Sequence, residues 1–154
     1  MKPTQLDHAG IEARVPHRGT MCLLDRMVAW DDVRIECLAS DHRDPAHPLR
    51  SRSGLMAGTA IEYAAQAAAL HGGLLAEASG RAAPPGYLAS ARDVRLGAWR
   101  LDDLPATESD LLRIVAERKA GDAGRLLYAF RIEHAGREIA SGRLAVVLHA
   151  GIGE

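Results

Sequence analysis

Two hydrogen-bonding side chains, Glu62 and Gln66, stand one helical turn apart in the most apolar stretch of the chain. From Gly54 to Leu75 alanine, leucine and glycine dominate, and no polar stripe of helical period runs through the segment. That pattern predicts a helix covered by protein on most sides. A carboxyl group removed from water tends to keep its proton and can donate it in a reaction. Glu62 is therefore the first candidate for chemistry; the competing interpretation places it at the helix rim, in solvent.

The elements that would position Glu62 are also predicted from sequence patterns. A polar loop over residues 40–53 leads into the helix, and the pair Gly72-Gly73 is expected to end it. Six strands are predicted, at 22–30, 33–39, 87–96, 111–119, 126–134 and 138–148, with Pro84-Pro85 in the linker before the third. Short connections favour antiparallel neighbours. The expected class is α+β, with one buried helix against a strongly curved antiparallel sheet.

The composition fits a single domain over residues 1–154, with a formal net charge of −1 and 47% hydrophobic residues. This charge gives no reason to expect nucleic acid, and the polar residues of the helix argue against a membrane span. The chain shows no export signal, and Cys22 and Cys37 are expected to be reduced, so a cytoplasmic protein is predicted. No metal-ligand spacing or nucleotide-binding glycine motif appears, so neither a metal nor a nucleotide cofactor is expected.

Three motifs together resemble a known enzyme family. They are Pro16-His17-Arg18 followed by Cys22-Leu23-Leu24-Asp25-Arg26, the loop His47-Pro48-Leu49, and the helix segment Glu62-Tyr63-Ala64-Ala65-Gln66. This set resembles the FabZ-type 3-hydroxyacyl-acyl carrier protein dehydratases, and the helix segment is most similar to the ApeP-like branch. The resemblance implies the hotdog fold, in which a long central helix is wrapped by a curved antiparallel sheet.

The resemblance also implies a reaction and roles for five residues. The reaction is dehydration of 3-hydroxyacyl-acyl carrier protein thioesters to trans-2-enoyl thioesters in fatty acid, aryl polyene or polyketide-like lipid biosynthesis. His47 would be the base, and Glu62 would be the acid or would orient water. Backbone N–H groups of Ala57 and Gly58, at the helix start, would receive the charge that develops on the thioester oxygen. Gln66 would hold Glu62 or its water.

The implied partners are an acyl carrier protein, whose phosphopantetheine bears the substrate, and a second hotdog subunit. The two catalytic residues would meet across the interface of a homodimer or heterodimer, which a higher oligomer could contain. Five arginines could attract the acidic carrier protein at the substrate entrance, or be ordinary surface residues: Arg50, Arg52, Arg92, Arg95 and Arg100.

Several alternatives stay open at this stage. His42 competes with His47 for the role of base, while His17 is expected to fix the N-terminal turn and His71 to lie at a helix end or interface. The chain could be a non-catalytic subunit that completes the site of an active hotdog partner. It could also be an acyl thioesterase, in which a helix acid activates water and His47 is not required.

Overall fold

Six strands and one long helix make up most of the structure, a computed structural model that describes residues 3–81, 86–121 and 124–148. The helices are α1 (His8–Glu12) and α2 (Ala60–Ala78), and short 3₁₀ turns lie at Gly19–Met21, Asp41–Arg43 and Ala57–Thr59. The strands are β1 (Arg26–Trp30), β2 (Arg34–Ala39), β3 (Gly86–Leu96), β4 (Leu112–Gly121), β5 (Arg125–His134) and β6 (Arg137–Leu148). The predicted linker residues Pro84-Pro85 lie outside the described residues.

All six strands form one antiparallel sheet in the order β1-β2-β4-β5-β6-β3. Irregularities in register interrupt every pairing except that of β2 with β4, and such irregularities increase the bend and twist of a sheet. The sheet contacts α2 through β2, β3, β4, β5 and β6. The predicted α+β plan, with one helix against a curved antiparallel sheet, is confirmed.

Helix α2 has a covered face and a half-open stripe. Its covered face carries ten buried residues, among them Tyr63, Leu70 and Leu74. Its half-exposed positions before the last turn are Ile61, Glu62, Ala65, Ala69, Gly72 and Gly73. Residues three or four apart share a helix face, so Glu62, Ala65, Ala69 and Gly72-Gly73 form one stripe along the helix. Glu62 is the charged member of this stripe, which we call the open stripe.

Two predicted boundaries were wrong for identifiable reasons. Helix α2 does not end at Gly72-Gly73 but continues to Ala78. Gly73 allows close approach of another segment, since a Cβ there would lie 3.4 Å from the backbone oxygen of Arg14. The first strand begins at Arg26 rather than at Cys22, because the Leu23 N–H donates to the side chain of Gln66 instead of joining the sheet. Within the described residues, no helix is both long and apolar enough to cross a membrane.

Candidate functional site

Glu62 lies in the first turn of α2, on the open stripe, with 38% of its side chain exposed. The interpretation that places this carboxylate at the rim therefore describes the single chain better than full burial does. One turn earlier, Gly58 faces open space, since a Cβ built on it would meet no atom within 4 Å. Gly58 lines an apolar pocket of about 420 Å³ together with Met56, Leu96 and Trp99. The helix start thus combines a carboxylate, an accessible backbone and apolar surface.

An imidazole from the N-terminal segment lies beside Glu62. The Nε2 atom of His17 is 3.6 Å from Oε1 of Glu62, slightly longer than a hydrogen bond. The His17 side chain is 28% exposed, and its Nδ1 atom is buried without a hydrogen-bond partner among the described residues. The sequence predicted only that His17 fixes the N-terminal turn, because its proximity to Glu62 arises from tertiary packing.

Gln66 holds that N-terminal segment against the helix. Its side-chain oxygen accepts the Leu23 N–H at 2.8 Å, and its side-chain nitrogen donates to the Met21 carbonyl at 2.8 Å. Gln66 is fully buried, and its hydrogen bond from Leu23 is shielded from water. Gln66 was predicted to hold Glu62 or its water. In the structure its amide is bonded to the backbone of Leu23 and Met21, and it fixes the segment that carries His17.

His47 is buried in a hydrogen-bond network within its own chain. Its Nε2 atom lies 3.1 Å from the hydroxyl oxygen of Tyr63 and 3.4 Å from Oδ2 of Asp41. The Tyr63 hydroxyl donates to the other oxygen of Asp41. On the opposite side of the ring, Nδ1 accepts the backbone N–H of Leu49 at 3.0 Å. The side chain of His47 has no exposed surface in the single chain.

The hydrogen bonds of His47 indicate which of its ring nitrogens carries the hydrogen. A backbone N–H can only donate, so Nδ1 of His47 is an acceptor and the ring carries its hydrogen on Nε2. In this arrangement neither nitrogen has a free lone pair with which to remove a proton. Burial raises the pKa of Asp41, against the opposing effects of its hydrogen bond from Tyr63 and of the nearby His47. Burial also raises the pKa of Tyr63, so its hydroxyl stays protonated and donates.

The two backbone N–H groups that were predicted to bind the thioester oxygen, those of Ala57 and Gly58, differ in whether they are free to do so. The Ala57 N–H donates to the Trp99 carbonyl at 2.9 Å, and the Leu101 N–H donates to the Leu55 carbonyl at 2.8 Å. These hydrogen bonds clamp the helix start to residues 99–101 and leave the N–H of Ala57 engaged. Gly58, whose N–H has no partner among the described residues, is the available donor of the two.

The competing histidines lie in structural clusters. His42 is fully buried, and its Nε2 is 3.3 Å from Oδ1 of Asp110; His134 approaches the same oxygen at 2.9 Å. These three side chains have a geometry that could hold a metal ion. However, Arg43 donates to both oxygens of Asp110, at 2.6 and 2.8 Å, and thereby supplies the neutralising charge. These hydrogen bonds lower the pKa of Asp110.

His71 is also buried, in the interior of α2 rather than at the expected helix end. Its Nδ1 lies 2.7 Å from the Tyr128 hydroxyl and its Nε2 lies 2.8 Å from the Asp31 carbonyl. Both ring nitrogens are thus satisfied by groups of the same chain. His71 therefore joins α2 to β5 and to the turn after β1.

The two cysteines are buried, and two of the five candidate arginines form ion pairs within the chain. Cys22 and Cys37 are free and buried, and burial raises the pKa of Cys37 to about 12, which makes its thiol a poor nucleophile. Arg50 and Arg100 both pair with the nearly buried carboxylate of Asp102. The three remaining candidates for an electropositive surface are exposed: Arg52, Arg92 and Arg95.

Comparison with known proteins adds a family to this geometry. The dehydratase heterocomplex ApeI:P from Xenorhabdus doucetiae contains a chain with 24% identity and a TM-score of 0.77, over 90% of each chain. An HP0420 homologue (C46A) from Helicobacter felis has 12% identity and a TM-score of 0.62, over 95% of this chain and 89% of that one. A hypothetical thioesterase with coenzyme A from Streptococcus pneumoniae has 13% identity and a TM-score of 0.54, over 79% and 83%.

These similarities confirm the predicted hotdog fold. No protein with curated annotation matches the chain. The ApeP-like family, described as ApeP dehydratase, matches residues 9–151, which is nearly the whole sequence. The chain therefore belongs to the ApeP-like family of hotdog-fold dehydratases.

Proposed function

We propose that this chain is a subunit of a two-chain hotdog dehydratase that removes water from 3-hydroxyacyl thioesters of an acyl carrier protein. The observation that carries the proposal is the position of Glu62, a carboxylate in an otherwise apolar open stripe, beside an imidazole. A carboxylate on such a stripe would be costly to cover unless it were paired, hydrogen-bonded or protonated. Membership of a dehydratase family supplies the reaction class.

Glu62 acts as the general acid in this mechanism. A base removes a proton from the carbon next to the thioester carbonyl, and the electron pair develops as negative charge on the thioester oxygen. The Gly58 N–H, at the positive end of α2, stabilises that charge. The carbon–oxygen bond to the 3-hydroxyl group then breaks, and Glu62 gives its proton to the departing oxygen. The products are one enoyl thioester and one water molecule, and no redox cofactor or metal is needed.

The base comes from a second hotdog chain. In this chain His47 is buried and its Nδ1 accepts a backbone N–H, so it cannot take up a proton without leaving its network. The open stripe offers an apolar face that a partner would cover. The structural relative from Xenorhabdus doucetiae belongs to a dehydratase heterocomplex, which supports the same architecture here.

The carrier protein would be attracted by the exposed arginines. Arg92 and Arg95 are exposed on β3, an edge strand of the sheet, and Arg52 is exposed in the loop before the helix. An acidic partner would be attracted to these charges, and its association would weaken at high salt. The apolar pocket at Gly58 would receive the end of the phosphopantetheine arm. We place the reaction in cytoplasmic lipid biosynthesis, of the fatty acid or aryl polyene type.

A second assignment keeps His47 as the base, in a homodimer. It is favoured by Asp41, whose carboxylate lies 3.4 Å from His47 Nε2 and could hold an imidazolium there. On this assignment His47 must turn away from Leu49 before it accepts a proton.

The test compares the chain alone with the complex isolated from native cells through a tag on this chain. With a 3-hydroxyacyl carrier protein as substrate, we expect the complex to release the enoyl thioester and the chain alone to be inactive. His47→Asn, whose side-chain oxygen can still accept the Leu49 N–H, should leave the rate of the complex within about twofold. Activity of the chain alone, abolished by His47→Asn, would establish the homodimer assignment instead. Release of a free carrier thiol would identify a thioesterase.

A further inference from the structure

His17 takes no part in the mechanism above, yet its ring lies against the proposed acid. Its Nε2 is 3.6 Å from Oε1 of Glu62, while its Nδ1 is buried. A distance of this size in the absence of substrate is common for pairs that close in the working complex. Both side chains are about one-third exposed, so a partner or substrate that covers the open stripe would also cover this pair.

The buried Nδ1 atom of His17 indicates which nitrogen carries the hydrogen. No described residue donates to Nδ1 or accepts from it. Buried N–H groups without an acceptor are rarer in proteins than acceptors without a donor. We therefore assign the hydrogen to Nε2, the nitrogen that lies 3.6 Å from the Glu62 carboxyl group.

We infer that His17 is a positioning residue for Glu62, an inference that rests on the proposed function. Its Nε2–H donates to one carboxyl oxygen of Glu62, so that the other oxygen holds the proton destined for the leaving hydroxyl. Without that donor the carboxyl group would rotate freely at the half-exposed helix rim. A misplacement of about 1 Å at a reacting group can reduce the rate by roughly a hundredfold.

The segment that carries His17 is built to stay in place. Arg18 donates to the carbonyl groups of Glu12 and Val15, at 2.5 and 2.6 Å, which closes the turn around His17. Gly19 adopts a φ of +57°, a conformation that favours glycine, and its N–H donates to the Glu12 side chain. Beyond it, the two hydrogen bonds of Gln66 attach the segment to α2, one turn after Glu62. The segment of His17 is thus attached to the same helix that carries Glu62, which fixes the relative position of the two side chains.

Two variants separate a positioning role from simple packing. His17→Leu keeps bulk but removes the donor, whereas His17→Gln places an amide N–H at a similar reach. In the native complex, with a 3-hydroxyacyl carrier protein, we expect His17→Leu to lower kcat by about 10- to 100-fold with KM within about twofold. His17→Gln should recover most of the wild-type kcat. Thermal unfolding of both variants is the control, because a loss of kcat at an unchanged Tm does not come from a loosened fold.

The outcomes distinguish this inference from the proposed function itself. Loss of activity in Glu62→Gln together with a wild-type kcat in His17→Leu would overturn the positioning role alone. A wild-type kcat in Glu62→Gln would overturn both. If His17→Leu and His17→Gln lost kcat equally, with unchanged thermal unfolding, an N–H donor at this position would not suffice. That result would also overturn the positioning role as stated.

Discussion

The side-chain oxygen of Gln66 accepts the backbone N–H of Leu23 at 2.8 Å, which fastens the N-terminal segment to the central helix. The Leu23 N–H has no contact with water, since Leu23 is only 1% exposed. The hydrogen bond therefore links the stability of the fold to the geometry at Glu62, because the same segment carries His17.

The first prediction concerns Gln66→Leu. The Leu23 N–H would be left buried without a partner, at a cost of about 1–3 kcal/mol, and Tm should fall by roughly 3–8 °C. Because His17 would lose its fixed position, kcat of the complex should also fall by about tenfold or more. Thermal unfolding and steady-state kinetics measure the two effects. Ala67→Gly, at a buried position of α2, should lower Tm by destabilising the helix, yet it keeps both hydrogen bonds of Gln66 and should preserve kcat.

The second prediction compares two buried tyrosines. Tyr63→Phe removes the hydroxyl between His47 and Asp41, and Tyr128→Phe removes the hydroxyl that bonds His71. Each change should cost about 1–3 kcal/mol in the free energy of unfolding, measured with urea. Because we treat His47 as structural, both variants should keep the wild-type kcat. A loss of kcat in Tyr63→Phe alone would favour the assignment of His47 as base.

The third prediction is a loss of stability in mild acid. Burial lowers the pKa of His71 below its ordinary value of 6.5, so the unfolded chain takes up a proton there before the folded chain does. Stability should be full above about pH 6.5 and should decrease as the pH falls, by about 1.4 kcal/mol per pH unit for each such histidine. Burial has the same effect on His42.

A comparison of the pH dependence of stability between the wild type and His71→Asn tests this prediction. The variant removes one titrating group, so its free energy of unfolding should vary less steeply with pH than that of the wild type, although it is less stable at neutral pH. The raised pKa of Asp41 acts in the opposite direction, since stability from that group decreases as the pH rises from 3.8 upward. Equal slopes for wild type and variant between about pH 5.5 and 7.5 would contradict the prediction.

The fourth prediction addresses the open stripe. Ala69 is half-exposed on this stripe, two turns after Glu62, so arginine there should be accepted by the single chain but not by a partner packed on it. Ala69→Arg should dissociate the complex in size-exclusion chromatography while the circular dichroism spectrum is retained. Ala78→Arg, at an exposed position in the last turn of the same helix, is the control and should leave the complex intact. Dissociation of neither variant would place the partner elsewhere.

Much of the fold could be predicted because its helices and strands follow from patterns of neighbouring residues in the sequence. Alternation of apolar side chains identified β5, and the alanine-rich stretch identified α2. The end of α2 was missed because Gly72-Gly73 normally favours a helix end, whereas here Gly73 allows the segment at Arg14 to pack closely. Tertiary contact outweighed the local preference of the two glycines.

The site could be predicted only in part, since its contacts join residues far apart in the chain. Glu62 was identified because a carboxylate in an apolar helix is a local anomaly. The neighbours of His47 were not identified, since Asp41 lies in a polar loop without a motif and Tyr63 was given no role within the helix motif. His17 was expected only to fix the N-terminal turn, because nothing in the Pro16-His17-Arg18 motif shows that its ring lies beside Glu62.

The most direct test of the central claim is the rate of enoyl thioester formation by the native complex that contains Glu62→Gln in this chain. Glutamine keeps the size and hydrogen bonding of the side chain but has no proton to give. We predict that a single turnover of the 3-hydroxyacyl carrier protein slows by about 100-fold or more, with the complex still assembled. A wild-type rate in the assembled complex would contradict the claim that this chain supplies the acid.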